Sequence, residues 1–590
     1  MSDNQEQDLM DYFSQELDYL RNEGKEFARK YPQVASRLDI RDGESLDPHV
    51  ERLIESFAFL SARIQRDIDK DYDQLAISIL EKFCPSLLKP IPALTVLKMN
   101  TTDTLGKMRK PLTIPKNSYL NALSDQHHTC RFRTVWDTQF IPLRISKITA
   151  DEESLNLSIR SDQGSDLSEL DVSKFDFHVT GNWKQIASIQ EVILTKLKRI
   201  EVYDDLGTKK TLKNRNIHIR GLDKDDLALP IPSKSNASYC LIQEYFAFEK
   251  KFHFFTLDGF NLNKLSGQEF TLKLSFAPLS RKLNNLSEKN FKLNCVPVIN
   301  IFPKMSEPIR SSDKKLEQLL IADKKNDSVT EIYSIESLTV SEPGTSLPRK
   351  IREYSETIEI NDQSKDEDPS VLWVSRRQKS LRKDISGSDI FISFVENNLA
   401  SDRVSGGTIY ANLLCTNRRL SEQIPANTKF IADSITNGIL ITSLYEPTSQ
   451  RDPAYDGGTT WKLTSLLTLN HFSLVSGATG VHQLREIIAL FSSGKLRDIE
   501  QIKGVKKIIT KQVVRRKKKE SWRHFCKGIE VQMDLESDAF VGSSMVLFSL
   551  VLAKFFSLYT TINSFVALSV ISDNQKVVEW PAMSGTQEFL

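Results

Sequence analysis

The sequence predicts a multidomain α+β protein: an N-terminal helical hairpin or bundle, a β-rich middle domain and a mixed α/β C-terminal third. Three observations carry that prediction. Apolar residues recur at three- and four-residue steps between Leu9 and Ile79, the period of a helix face. At Pro90 the period changes to alternation, the pattern of half-buried strands. Near the end, Met545–Phe565 is apolar nearly all round, as a helix enclosed in a core is. A chain of 590 residues has room for about three or four domains. The boundaries read 1–90 helical, 91–300 β-rich, 301–370 a charged, turn-rich connection, and 371–590 mixed α/β.

In the first helix Leu9, Phe13, Leu17, Leu20 and Phe27 share a face, with Glu16 and Glu23 off it. Tyr31-Pro32 ends it, Val34–Leu38 can add a turn, and Arg41-Asp42-Gly43 reads as a turn. Asp47 is placed to cap the next helix, with Pro48 at the first helical position, where its missing N–H costs nothing. Val50, Leu53, Phe57, Leu60, Ile64 and Ile68 then fall on one face. Tyr72, Leu75 and Ile79 continue it past the polar stretch Asp67–Asp73, where a kink is expected. Pro85, Pro90 and Pro92 forbid continuation. A stripe this long needs more cover than one short neighbouring helix gives. It packs either inside its own domain or against another chain.

Beyond Pro90, alternating runs read as strands at Leu94–Lys98, Leu155–Ile159, Phe175–Val179, Ile217–Ile219 and Phe270–Phe276, a sandwich or distorted barrel. Gln190–Ile200 reads as a helix lying across them. From 301 to 370 exposed connections are expected, with one strand near Glu331–Ser334. Phe391–Glu396, Thr408–Leu414 and Ile529–Leu535 read as strands, and Trp461–Ser473 and Val481–Phe491 as helices.

Composition excludes several classes. Apolar content of 39% and charged content of 26% are those of a soluble globular protein. The formal charge of +2 does not describe a polyanion binder as a whole. Six scattered cysteines form no disulfide framework. The acidic N-terminus carries no secretory signal, which points to the cytoplasm. Val541–Val570 is interrupted by Lys554 and Asn563, so it reads as a buried helix rather than a membrane span.

No phosphate-binding glycine loop, HExxH or GxSxG occurs, and nothing implies a cofactor. His127, His128 and Cys130 lie some 400 residues from His524 and Cys526, too irregular for a zinc site. Ser380 and Lys383 make a bare SxxK in a basic surface stretch. Acidic pairs such as Glu152-Glu153 read as solvated turns. The chain is therefore expected not to be an enzyme. The strongest charge feature is 503–527, with eleven Lys or Arg against Glu520. Its alternatives are a nucleic-acid contact and an exposed loop facing acidic partners or water. Trp522 and Phe525 alone are thin for base stacking.

Several segments match a known family in its order. Glu16, Tyr19-Leu20-Arg21, Gly24, Phe27-Ala28, Pro32, Ala35 and Leu38 lead into Asp47-Pro48, Val50–Leu53 and Phe57–Leu60. There follow CRFRTVWDTQFIPLRI (130–145), VPVINIFPKMSEPIR (296–310), EIYSIESL (331–338) and CTNRRL (415–420). WKLTSLLTLNHFSL (461–474), FCKGIEV (525–531) and LYTTINSF (558–565) complete the set. Together they resemble the TssF family, also called ImpG or VasA, of type VI secretion baseplates. Residues 150–290 match poorly, and the Lys-rich stretches at 310–325 and 517–519 are peculiar to this sequence.

The resemblance implies a structural subunit of the baseplate wedge, without catalytic residues. It implies assembly with a TssG-like protein, two copies of this chain to one, and with TssK- and TssE-like proteins around a VgrG-type spike. It also implies support of the tube and the TssB/TssC sheath, and docking on a membrane complex at the cytoplasmic face of the bacterial inner membrane. Because the family's wedges contain a shared helical bundle, Val50, Leu53, Phe57, Leu60 and Ile64 are the candidate inter-chain seam. Trp461, Leu463 and Leu466 are a second candidate contact.

Overall fold

The computed structural model describes residues 3–585 apart from 38–39, 42–43, 46, 103–110, 126–127, 163, 165, 206, 208, 214–215, 232–235, 279–282, 284–285, 311–316, 342–347, 355–366, 381, 383–384, 397–406, 433–437, 454–477, 517–524 and 561–563. The chain forms two units, one built on residues 3–83 and one beginning at Cys84.

The first unit is an antiparallel pair of long helices, α1 (Asp3–Lys30) and α3 (Pro48–Phe83), with a short α2 (Pro32–Arg37) between them. Asp47 caps α3 as its sequence requires: its carboxylate accepts from the His49 amide at 2.9 Å, and its carbonyl accepts from Glu51 N at 3.0 Å. At 36 residues α3 is about 54 Å long. The chain stays helical through Asp67–Asp73, so the polar stretch does not end α3. The polar stretch serves packing instead: Tyr12 Oη donates to Asp69 at 2.9 Å. Arg21–Glu51 (2.8 Å), Ser61–Glu16 (3.0 Å) and the edge-on rings of Phe13 and Phe59 complete the α1 contact.

The second unit is built from β-sheets. A closed six-stranded barrel runs Cys295–Ile299, Leu94–Thr101, Ile439–Ser443, Lys429–Ala432, Tyr119–Leu123, Thr129–Thr134. Leu94–Leu97 are buried on both faces of their strand, so the outer side of the barrel is covered there as well as its interior. A five-stranded sheet orders Lys209–Leu212, Leu197–Asp204, Glu269–Phe276, Ser154–Ser161, Leu143–Ala150, and a four-stranded sheet contains Phe175–Val179. The C-terminal sheet orders Val505–Arg516, Phe525–Leu535, Ser564–Ser572, Gln575–Glu579. Its middle pair is parallel, joined through the helix Met545–Tyr559.

One continuous core joins the 150–290 sheets to the C-terminal sheet. Helices Ala237–Ala247, Ala478–Phe491 and Met545–Tyr559 supply the joint: Tyr239 stacks on Phe491 with ring centroids 5.6 Å apart, and Tyr245 meets Phe548 at 5.9 Å. Ser544 caps the last helix, accepting from Leu547 N at 3.2 Å. Lys554 leaves this apolar helix to pair with exposed Asp223 at 2.7 Å.

Three element readings change. Met545–Phe565 is not one helix: it ends at Tyr559, and Phe565 belongs to the strand Ser564–Ser572, whose bonds to Phe525–Leu535 outweigh helical continuation. Gln190–Ile200 is not a helix across the sheet. The helix is Trp183–Glu191, a π turn follows at Val192–Lys196, and Leu197–Asp204 is a strand pairing with Glu269–Phe276. The stretch 301–370, read as a connection with one short strand, supplies several strands of an eight-stranded sheet, among them Phe302–Met305 and Glu331–Ser341. Bulges at Ile332/Ser334 and Ile335/Ser337 shift the side-chain parity, so Glu331–Ser341 shows no clean alternation.

Candidate docking face and the converging motifs

The stripe chosen from sequence lies on the open side of α3. Leu53, Phe57, Leu60 and Ile64 are 69%, 62%, 59% and 57% exposed, and Val50 is half-buried. The residues that meet α1 fall one position later: Glu51, Ser61 and Asp69, with Ala58 and Ala62 wholly buried among them. One residue is about 100° of helix rotation, so α3 carries two separate faces. The α1 face carries Ala58, Ala62 and polar side chains together with Phe59, whose ring meets Phe13; the large residues of the stripe point elsewhere. The second candidate contact, Trp461, Leu463 and Leu466, lies outside the described residues.

The motifs that are far apart in sequence converge around one buried polar network. Asn300 donates from Nδ2 to the Arg131 carbonyl and to Asn417 Oδ1, both at 2.8 Å, and accepts from Asn417 N at 2.7 Å. Asn417 Oδ1 also accepts from Arg131 N at 3.0 Å. The next residue, Arg418, has φ of +49°, a left-handed conformation that costs a non-glycine residue about 1 kcal/mol or more. Its guanidinium is buried, donating from Nε to the Thr330 carbonyl at 3.1 Å with Nη1 3.7 Å from Glu331. Glu331 is 1% exposed and accepts from Ser388 N (2.8 Å), Ser388 Oγ (2.6 Å) and Gln450 Nε2 (2.7 Å). Gly387, at φ +105°, lies so close that a Cβ there would sit 2.7 Å from both Arg418 and Glu331. The network ties the barrel strands at 129–134 and 295–299 to the eight-stranded sheet. Four quoted motifs therefore meet at one joint, although sequence reading singled out none of these polar residues. The signal available was the Asn and Arg inside apolar strand-like motifs, NIF and CTNRR.

A second pairing joins two late motifs. Gly528 lies directly opposite Phe565 in the parallel ladder, and a Cβ at 528 would be 2.4–2.5 Å from its ring. The glycine leaves room for the aromatic ring to lie across the strand.

Among the described residues no group of three His, Cys, Asp or Glu side chains could hold a metal. Cys130 is buried on its strand, while His127 and His524 lie outside the described residues, as does Lys383 of the SxxK. Burial pushes the thiols of Cys84, Cys130, Cys240, Cys295 and Cys415 up to about 12, so they stay protonated. Among the described residues no helix is long and apolar enough to cross a membrane.

The basic run 503–527 is not simply a loop. Its first half is the strand Val505–Arg516, paired with Phe525–Leu535. Part of its charge is matched within the sheet, by Lys506–Glu536 at 2.9 Å and Arg515–Glu530. Phe525 is the one aromatic of that run among the described residues, and Trp522 lies outside them.

Comparison with known proteins agrees with this layout. The family model described as type VI secretion system, TssF, matches residues 5–587. The type VI secretion system component TssF1 of Pseudomonas aeruginosa PAO1 is 27% identical over 620 aligned residues, covering 99% of each chain. A chain from a cryo-electron microscopy structure of a TssK-TssF-TssG baseplate subcomplex superposes with a TM-score of 0.73 at 20% identity, covering 90% of this chain and 98% of that one. A chain from a type VI secretion baseplate complex gives 0.58 at 19% identity, covering 98% and 100%. The match runs nearly end to end and places the widely spaced motifs in one fold, so the chain belongs to the TssF family of type VI secretion baseplate components.

Proposed function

We propose that the chain acts as a structural wedge subunit of the baseplate, and that α3 presents Val50, Leu53, Phe57, Leu60 and Ile64 to a helix of a TssG-like partner. The family is structural rather than enzymatic. The observation that carries the proposal is the exposure of four large apolar side chains in one row, beside a separate face already occupied by α1. Covering their exposed parts yields roughly 4–7 kcal/mol of gross burial energy. That is enough to organise a helix–helix contact and large for a row left in water. Support for the partner comes from a structural relative, described as a TssK-TssF-TssG subcomplex.

The wider assembly follows the resemblance. Two copies of this chain join one TssG-like protein, with TssK- and TssE-like proteins, around a VgrG-type spike. The wedges support the tube and the TssB/TssC sheath, in the bacterial cytoplasm against a membrane complex. Trp461, Leu463 and Leu466 form a second contact on motif grounds alone, and Trp461→Ala should weaken partner recovery without unfolding the chain.

The test is Phe57→Asp with Leu60→Asp. Two anchors are lost and two carboxylates enter an apolar seam, a cost above about 3 kcal/mol, or more than ~100-fold in affinity. Co-purification with the TssG-like partner should be lost while the circular dichroism spectrum and denaturation midpoint stay unchanged. Undiminished partner recovery would refute the seam.

A further inference from the structure

We propose that the outer edge of the strand Val505–Arg516 is a docking edge, to which an acidic, extended segment of a protein partner adds as a further strand of the C-terminal sheet. The inference rests on the sheet's edge and its charge, and stands independently of the α3 seam.

The strand ends the sheet order, so only one of its sides is paired, with Phe525–Leu535. It is 12 residues long, about twice the usual strand. The register on its inner side is continuous from Lys507↔Asp534 to Arg516↔Phe525. On the outer side Arg485 closes only the beginning, donating to the Val505 carbonyl at 3.0 Å and to the Lys503 carbonyl at 2.7 Å. From Lys507 onward, among the described residues, the outer edge makes no backbone hydrogen bond.

A long open edge invites pairing and is ordinarily blunted by charge alone. This edge is not blunted by charge alone. On the edge strand itself Val514 is 61% exposed on the face of buried Ile508, and Ile509 is 46% exposed on the face of Lys507 and Lys511, apolar surface that an added strand would flank. The charges have one sign to spare. Arg515 takes up Glu530, and Lys506 takes up Glu536, while Lys507, Lys511 and Lys527 make no ion pair among the described residues. An occupant must therefore supply backbone donors and acceptors along one edge, apolar side chains at alternate positions, and carboxylates between them. That describes an acidic β-strand. A nucleic acid would meet the charge and leave the open backbone and the apolar side chains unsatisfied.

The experiment titrates the full chain against the fluorescein-labelled peptide Glu-Val-Thr-Val-Glu-Val-Thr-Val-Glu-Val, read by anisotropy. Saturable binding is expected at roughly 10–100 μM. Lys507→Glu with Lys511→Glu should weaken it at least ~10-fold at an unchanged denaturation midpoint. Two further peptides, N-methylated at odd or at even positions, keep the charge and block one backbone edge each. One of the two should bind and the other should not, the signature of strand addition. Four outcomes would overturn the proposal: no saturation at ~1 mM, equal binding of the two N-methylated peptides, equal binding of a Lys-for-Glu peptide, or tighter binding of a duplex DNA that the same double substitution abolishes.

Discussion

Replacing Glu331 with Ala tests whether the buried network is the joint that holds barrel and eight-stranded sheet together. The carboxylate is 1% exposed and collects three hydrogen bonds of 2.6–2.8 Å, with the Arg418 guanidinium 3.7 Å away. Its removal leaves the Ser388 amide, the Ser388 hydroxyl and the Gln450 amide without that acceptor, and takes the Glu331 charge away from the buried Arg418 guanidinium. Breaking a buried pair from one side costs about 3–5 kcal/mol. Some of this is recovered, because Arg418 keeps the Thr330 carbonyl and Gln450 keeps Thr416. We expect a net loss of about 3–4 kcal/mol. Arg418→Met alone should also destabilise, since it leaves the carboxylate buried without its counter-charge. The double variant removes both charges and should cost at least ~1.5 kcal/mol less than the two single losses together. Urea denaturation gives the magnitudes. Hydrogen exchange must locate them, because two units need not unfold in one step. The loss should concentrate in Glu331–Ser341 and Thr408–Thr416. A loss below ~1 kcal/mol, or strict additivity, would refute the reasoning.

Further predictions concern other parts of the fold. His178 and His253 stack with ring centroids 6.2 Å apart in the interior, where burial holds His253 down to about 3 and His178 well below its usual value. The unfolded chain takes up these protons near 6.5, so between the two values it binds more protons than the folded chain. Stability is then full above pH ~6.5 and falls as pH drops below it, by up to about 1.4 kcal/mol per pH unit per histidine. His253→Phe should flatten the difference in denaturation midpoint between pH 7.5 and 5.5; an unaltered pH slope would count against the buried neutral pair. Gly528→Ala should cost about 1–3 kcal/mol by driving a methyl into the Phe565 ring, and Phe565→Leu in the same chain should restore part of it in thermal unfolding. Phe59→Asp, one turn side from the seam, should loosen the Phe13 contact and cost the helix pair about 1–2 kcal/mol, detectable as lost helicity, whereas Phe57→Asp should leave helicity intact.

Legibility in the sequence followed how local each determinant is. The cap Asp47-Pro48, the strands Phe175–Val179 and Ile217–Ile219, and the period of α3 depend on neighbours within a few residues, and all were readable. The end of the last helix was not, because Ser564–Ser572 is a strand only through its pairing with Phe525–Leu535, more than thirty positions away. Of the strand Glu331–Ser341 only the beginning, near Glu331–Ser334, was readable, because its bulges break the alternation that marks a strand. The polar joint was invisible for a different reason. Asn300, Glu331, Asn417 and Gln450 are ordinary surface types by composition, and only the converging strands make them interior.

The same distinction explains what periodicity could say about α3. An apolar stripe identifies a face that avoids water, and periodicity alone cannot say which neighbour covers it. Here α1 takes the adjacent face, using Arg21, Glu16 and Tyr12 against Glu51, Ser61 and Asp69. Those contacts are polar and directional, so they fix the register of the helix pair, and the Phe13–Phe59 ring contact beside them adds its apolar burial. The apolar row at Leu53, Phe57, Leu60 and Ile64 stays exposed on the other face, and in the proposed seam it supplies the adhesion. A helix divided in this way, register on one face and adhesion on the other, can be held in orientation by its own chain while a third helix binds. Under the proposed seam, the row is fixed in orientation before a partner helix arrives, and less ordering entropy remains to be lost on contact.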